Sequence, residues 1–110
     1  MAKAYWIGRS HVVDPDGYAE YARRAGEASA LLFPTMGARF LARGGRQIVL
    51  EGGSTFERHV LVEFPDVATA VRFHQSPEYR AAAAYRLGGA GINELVVVEG
   101  PDDMSGSVSE

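Results

Sequence analysis

The stretch "AYWIGRSHVV" at residues 4–13, followed at once by "DPDG" at residues 14–17, decides the fold. Its first part is rich in aromatic and β-branched residues and predicts a β-strand. Asp14 is a favourable helix N-cap and Pro15 a favourable first helical residue, so a helix is expected to begin there. A strand that passes directly into a helix indicates the first half of a β-α-β unit.

The helix that follows carries an apolar stripe with spacings of three and four residues, which is typical of a helix packed on one side. The stripe consists of Tyr18, Tyr21, Ala22, Ala25, Ala28 and Leu32. Pro34 is expected to end this helix, and Gly37 to supply the turn after it.

The rest of the chain predicts four more strands and two more helices. The strands are expected at residues 38–43, 46–51, 58–64 and 93–99, the first two joined by a tight Gly44-Gly45 hairpin. One helix is expected after the cap Asp66, and another from Ser76-Pro77 to about Leu87, where "GGAG" breaks it.

This order is β-α-β, a hairpin insertion, then β-α-α-β. It predicts an α+β, ferredoxin-like split βαβ fold, in which one face of an antiparallel sheet of four or five strands carries the helices. We expect residues 1–100 to form a single domain. Residues 101–110 are small and polar, and we expect a disordered tail.

The second face of this sheet is too apolar to be left bare. In the first strand one set of alternate residues is Tyr5, Ile7, Arg9 and His11, and near the C-terminus "LVVVE" is apolar on both faces until its last residue. A face that mixes apolar groups with a few charges is usually covered, and a second copy of the sheet is the simplest cover. The sequence therefore predicts a homodimer.

Composition excludes several classes of function. The 110 residues include 11 basic and 14 acidic side chains without a basic cluster, which argues against nucleic-acid binding. No cysteine is present, so disulfides, thiolate metal sites and a cysteine nucleophile are excluded. No apolar run is long enough for a membrane span or a signal peptide, and a cytoplasmic location is the simplest expectation.

Seven segments occur in an order that resembles a known family: "AYWIGRSHV", "DPDGYAEY", "RFLARGG", "VLEG", "VLVEFPD", "SPEY" and "ELVVVEG". The chain resembles, over about residues 3–100, the bacterial family of unknown function thirteen-thirty, in the dimeric α/β-barrel superfamily. The resemblance implies a ferredoxin-like fold and a homodimer whose two sheets form a barrel. It implies little about activity, because the superfamily contains cofactor-free monooxygenases, isomerases, haem enzymes and plain ligand binders.

"FHQSPEYR" at residues 73–80 carries the main candidate for catalysis. His74 can act as a general base or acid, or it can bond a free carbonyl at the end of its helix, where the helix dipole favours it. Glu78 complements the dipole of the next helix, and Tyr79 is expected to pack its ring on the sheet with its hydroxyl at a cavity wall.

The arginines near the Gly44-Gly45 turn are candidates for binding an anion. In a two-residue hairpin Arg43 and Arg46 lie opposite each other, which favours either a bound anion or two side chains pointing into water. Arg39 has the same parity as Arg43, so the two can line one patch, and Arg9 can join them.

Other site types find little support. His59 and Glu63 are four residues apart on a strand, too far for one metal ion, and His11 could join only through long-range folding. The glycine clusters do not lead into helices as phosphate loops do. No serine lies in a nucleophile elbow.

The leading functional hypothesis is a small-molecule pocket between the sheet and its helices. The expected ligand-binding residues are Trp6, Arg9, Phe40, Arg43, Phe73 and Tyr79. If the protein is an enzyme, we expect His74 to be the base and a small aromatic or carbonyl-containing compound to be the substrate, with no metal, flavin or other cofactor. The alternative is a non-catalytic dimeric binding or interaction module.

Overall fold

The computed structural model describes residues 2–53 and 55–102. Along these residues the elements are β1 (Ala2–Val12), α1 (Pro15–Met36), β2 (Arg39–Arg43), β3 (Arg58–Phe64), α2 (Val67–Gln75), α3 (Pro77–Tyr85) and β4 (Gly91–Asp102). A short π-helical turn, Arg86–Ala90, joins α3 to β4. None of the helices in this part of the chain combines the length and hydrophobicity that crossing a membrane requires.

The strands form one antiparallel sheet in the order β2-β3-β1-β4. The predicted α+β, ferredoxin-like fold is confirmed. The predicted alternation in β1 is also correct, because Ala4, Trp6 and Ser10 are buried under the helices whereas Ile7, Arg9 and His11 are exposed on the other face.

The core between sheet and helices is built on aromatic rings. Phe73 of α2 lies 5.5 Å from Trp6 of β1, 5.9 Å from Phe64 of β3 and 5.0 Å from Phe33 of α1, measured between ring centroids. Edge and tilted contacts at these distances add to the free energy of burying the rings. Phe73 therefore ties two strands and two helices together.

The predicted helix caps are present. The Asp14 carboxylate accepts a hydrogen bond from the Asp16 amide at 3.2 Å, and the Asp66 carboxylate accepts one from the Thr69 amide at 2.7 Å. Ser76 serves two helices, since its hydroxyl donates to the Phe73 carbonyl at 2.7 Å and accepts from the Tyr79 amide at 3.2 Å. The stretch around Ser76 is therefore the joint between α2 and α3.

Pro34 does not end α1, contrary to the prediction. The helix continues to Met36, and Gly37 ends it with a left-handed backbone whose amide donates to the Phe33 carbonyl. Near the helix end Pro34 removes a single backbone hydrogen bond. The buried Phe33 ring, 5.1 Å from Phe40, holds this last turn against the core.

The strand predicted at residues 46–51 is wrong. These residues form no helix or strand, and Ile48, Val49 and Leu50 are exposed. The predicted hairpin is absent as well, because β2 pairs with β3. β3 has an apolar side chain at every second position, so one of its faces is apolar. Residues 48–50 are three consecutive apolar residues, and their side chains cannot all face one side of a sheet.

The last strand is longer than predicted at both ends. β4 begins at Gly91, and Pro101 and Asp102 still belong to it. Proline is tolerated here because β4 is an edge strand. The remainder of the predicted tail, residues 103–110, lies outside the described residues.

The left-handed turn after α1 gives a stability test. Gly37 has φ 66°, and a β-carbon there would meet Pro65 only at ordinary contact distances of 3.8 Å and more. Gly37→Ala should therefore lower the free energy of unfolding through backbone strain alone, by about 1–2 kcal/mol in urea titrations. Gly45→Ala is the control, because Gly45 lacks a left-handed φ and its β-carbon would meet nothing within 4 Å. Equal stability of the two variants would contradict this account of the turn.

Candidate functional site

A cavity of about 290 Å³ separates α1 from the sheet. Its volume is at the lower end of the range for small-molecule sites. Seven of the sixteen residues that line it carry aromatic rings: Trp6, Tyr18, Tyr21, Phe33, Phe40, Phe73 and Tyr79. The cavity is therefore suited to a ligand of one or two rings.

The space exists because α1 presents short side chains to it. Ala22, Ala25 and Ser29 line the cavity at helical spacing, and Val60 and Val62 of β3 lie on the sheet side. The backbone of α1 lies close to α3 and the π-helical turn rather than to any strand. Small residues on a helix held away from the sheet leave a gap that side chains do not fill.

Two exposed arginines, Arg43 of β2 and Arg58 of β3, form the rim. The Arg43 guanidinium lies 4.3 Å from the centroid of the Phe40 ring, and that of Arg58 lies 5.8 Å from the Tyr18 ring. Neither makes an ion pair with a described residue. No aspartate or glutamate is among the described residues that line the cavity, so its charged wall is entirely cationic.

A buried arginine held by tyrosines lies beside the cavity and borders a smaller neighbouring space rather than the cavity itself. Arg86 is only 6% exposed, and its Nη2 donates to the Tyr79 hydroxyl at 3.2 Å. The hydroxyls of Tyr79 and Tyr21 lie 3.2 Å apart, and the Arg86 guanidinium lies 5.2 Å from the centroid of the Tyr21 ring. Arg86 Nε is buried without a hydrogen-bond partner. We call Arg86, Tyr79 and Tyr21 the inner cluster.

The inner cluster is positively charged at neutral pH. Burial raises the pKa of Tyr21, and the neighbouring Tyr79 adds to this, so the Tyr21 phenol stays neutral. Burial also raises the pKa of Tyr18 beside the cluster. Since an arginine keeps its proton, a full positive charge is enclosed among neutral phenols.

The structure brings together most of the predicted ligand-binding residues. Trp6, Phe40, Arg43, Phe73 and Tyr79 all line the cavity.

His74, the predicted catalytic residue, lies elsewhere. It is exposed in the last turn of α2, with its ring centroid 5.9 Å from that of Trp6. It lines a separate depression formed with Trp6, Val71, Leu95 and Val97. A base at this position can act only on a molecule bound in that depression, so catalysis by His74 stays a prediction.

Arg9, Arg39 and Arg43 do not form one patch. Arg9 is held on the outer face by Glu94 at 2.6 Å, and Arg39 is held there by Glu63 at 3.0 Å. Arg43 turns to the helix side because a bulge between Phe40 and Ala42 shifts the register, so that the equal parity of Arg39 and Arg43 no longer places them on one face. Arg9 borders only the small space beside the inner cluster.

Arg46 does not face Arg43 either, because no hairpin forms there. Within the described part of the chain, no three histidine, aspartate or glutamate side chains group together as a metal site would need.

Sequence reasoning missed Arg58 and Arg86. Arg86 follows an alanine-rich helix, where a cation ordinarily complements the helix dipole in water. Its sequence signal is helical spacing, since Arg86 still has helical backbone angles and lies seven residues after Tyr79 and three after Ala83, both of which are buried on α3. Arg58 has the parity of Val60 and Val62, and this parity alone predicts that it faces the helices.

Comparison with known proteins bears on the family and the fold. Residues 3–101 match the family model described as Domain of unknown function (DUF1330). A protein of unknown function from Rhodopseudomonas palustris is similar in structure, with 21% identity, a TM-score of 0.64 and coverage of 92% of this chain and 84% of that chain. Comparison with curated proteins gave no match.

Two more distant structures share the fold. A dimeric ferredoxin-like protein of unknown function from Thermobifida fusca has 17% identity and a TM-score of 0.62, over 89% of this chain and 91% of that chain. SnoaB, a cofactor-independent oxygenase from Streptomyces nogalater, has 14% identity and a TM-score of 0.56, over 96% and 99%. At these identities the likeness concerns the fold, and the ferredoxin-like prediction agrees with it.

The inner cluster gives a second stability test. Tyr79→Phe removes the hydroxyl that accepts from Arg86, so the variant should lose about 1–3 kcal/mol of unfolding free energy. Tyr21→Phe leaves the bond between Arg86 and Tyr79 in place and should lose less, about 1 kcal/mol. Urea unfolding measures both changes. A larger loss in Tyr21→Phe than in Tyr79→Phe would contradict the assigned network.

Proposed function

The chain belongs to the DUF1330 family, and we propose that it is a homodimer that binds a small aromatic or carbonyl-containing metabolite between its sheet and α1. The observation that carries this proposal is the cavity itself, an unfilled space with an aromatic wall and only cationic charged side chains. Aromatic rings favour a flat apolar body, and the few polar groups fix its orientation.

Arg43 has the role of orienting an acidic or carbonyl group at the rim. Its stacking on Phe40 holds the guanidinium beside the opening, and no described carboxylate competes for it. A stacked guanidinium keeps its N–H groups in a fixed plane, which suits a planar oxygen-bearing group.

The alternative is a non-catalytic dimeric binding or interaction module. A helix–sheet layer filled solidly by side chains favours that alternative, whereas an open cavity of about 290 Å³ supports a ligand site. Conversion of the ligand is supported only by analogy with SnoaB, whose name describes an oxygenase that works without a cofactor.

The outer face of the sheet supports the homodimer. Ile7 pairs with Leu61 of β3 and with Val96 of β4, which makes an apolar row across the centre of this face. The charged pairs Arg9–Glu94 and Arg39–Glu63 lie beside it. An apolar centre with a polar margin is the pattern of a protein interface, and the Thermobifida fusca structure is described as dimeric.

Val96→Glu tests the dimer. Val96 is 53% exposed on the outer face, in the apolar row beside Ile7, so a glutamate there should place two unpaired charges in the interface and shift the protein to a monomer at micromolar concentration. Light scattering measures the mass. Leu87→Glu, in the turn after α3 and 69% exposed, is the control and should remain dimeric. A monomeric wild-type protein at this concentration would contradict the proposed homodimer.

Ala25→Leu tests the cavity. The longer side chain extends from α1 into the space and should abolish binding of 2-naphthoate, followed by quenching of the single tryptophan, Trp6, in the cavity wall. Stability should change by less than about 1–2 kcal/mol, because the added methyl groups enter space that is already empty. Ala30→Leu is the matched control, since Ala30 is exposed on the same helix. Equal quenching in the two variants would contradict a ligand site in the cavity.

A further inference from the structure

We infer that the inner cluster is a receptor for one anionic oxygen, so that the ligand is a small aromatic carboxylate whose charged group points inward to Arg86. This inference rests on the proposed function, since it names the chemical class and the orientation of the same ligand: it assigns the acidic group to Arg86 and leaves Arg43 at the rim for a carbonyl group. Three observations carry it: a charge without a counter-charge, a surplus of hydrogen-bond donors, and a space of the right size.

Among the described residues, none forms an ion pair with Arg86. The described ion pairs involve solvent-accessible arginines, such as Arg9 and Arg39, and Arg86 is not among them. Burying a cation without a counter-ion is unfavourable by several kcal/mol, whereas an exposed cation avoids this cost. An anionic ligand oxygen supplies the missing partner.

The donors in the inner cluster outnumber the acceptors. Arg86 Nη2 uses the Tyr79 oxygen, and Arg86 Nε is left with an N–H and no acceptor. Tyr21 and Tyr79 carry one hydroxyl hydrogen each, and their mutual bond consumes one of them, whichever residue donates. One phenolic hydrogen therefore also remains free to donate. Two donors without an acceptor in a buried place match a carboxylate, which only accepts.

A small space beside the inner cluster has room for that oxygen. It measures about 20 Å³, and its wall includes Arg86, Tyr79 and Tyr21 together with Arg58 and Glu94, whose carboxylate is already paired with Arg9 at 2.6 Å. It shares Trp6, Tyr18 and Val60 with the wall of the main cavity. This is enough for about one water-sized group. A tetrahedral phosphate or sulfate needs more room, whereas one carboxylate oxygen fits with its ring behind it in the aromatic cavity.

The test compares two probes of nearly the same shape, 2-naphthoate and the neutral 2-naphthamide. The wild-type protein should bind the carboxylate about tenfold or more tighter than the amide in calorimetric titrations, because hydrogen bonds to a charged group are the stronger ones. Arg86→Met should bring the ratio of the two dissociation constants close to one. The variant should still bind the amide, since the aromatic wall is unchanged.

Three further variants make the result specific. Arg80→Met removes the same charge from an exposed position on α3 and should keep the wild-type ratio. Arg43→Met should reduce that ratio less than Arg86→Met does, because Arg43 at the rim is screened by water. Arg86→Lys, which keeps a buried cation but loses the guanidinium fork, should retain a reduced preference for the carboxylate.

Thermal unfolding without ligand gives an independent readout. Arg86→Met should melt about 4–8 °C higher than the wild type, because it removes a buried charge with no counter-charge. If Arg86 had a purely structural role, Arg86→Met would melt at a lower temperature than the wild type.

The outcomes separate this inference from the proposed function. If the wild type binds naphthoate and naphthamide equally, or if Arg86→Met and Arg86→Lys both keep the wild-type ratio, the inference is wrong and the cavity still binds a ligand. If Arg43→Met removes the preference and Arg86→Met does not, the charge is recognised at the rim and the inference is again wrong. If neither probe binds the wild type, the proposed function fails with it.

Discussion

The structure depends on the way the Phe73 ring fixes the last turn of α1 to the sheet. Phe73 packs on Trp6, Phe64 and Phe33, and Phe33 belongs to the last turn of α1. Toward the first turns of the helix the contacts are with α3 and the π-helical turn, through tyrosines instead of a filled layer. A helix that is anchored at its C-terminal end and held away from the sheet by tyrosines toward its start must leave a gap, and this gap is the cavity. The site is thus a consequence of how the core is packed.

The distribution of charge around this gap differs from that of the whole chain. The protein carries a formal net charge of −3, yet the cavity has arginines at its rim and no described acidic side chain in its wall. The small space beside it is bordered by Arg86 and by one carboxylate, Glu94, which pairs with Arg9. The acidic groups that balance arginines, such as Glu63 and Glu94, lie on the outer face. A cationic space within an acidic protein attracts anions locally while the surface as a whole does not, so composition alone gives no indication of it.

Sequence reasoning predicted the features that local chemistry controls. Side-chain hydrogen bonding explains the helix caps at Asp14, Asp66 and Ser76. The alternation of side chains along a strand explains the two faces of β1. Prediction from the sequence failed where contacts between residues distant in the chain determine the structure. Residues 46–51 have strand-forming composition, but β3 occupies the position beside β2, and the bulge after Phe40 reverses the side on which Arg43 lies. In the site, the aromatic side chains of the wall could be predicted from the alternation of side chains along the strands. The burial of Arg86 could not, because it depends on contacts with tyrosines from α1 and α3.

A comparison among the arginines shows why Arg86 is the informative one. Arg9 and Arg39 are exposed and paired, so their replacement has a small effect and their presence needs no special explanation. Arg86 is buried and has neutral phenols as its neighbours, with no described carboxylate in an ion pair with it. Core packing does not require a guanidinium there, because methionine has a similar length and no charge. Under the inference drawn above, a bound anion beside the cavity supplies the counter-charge that no described ion pair gives to Arg86.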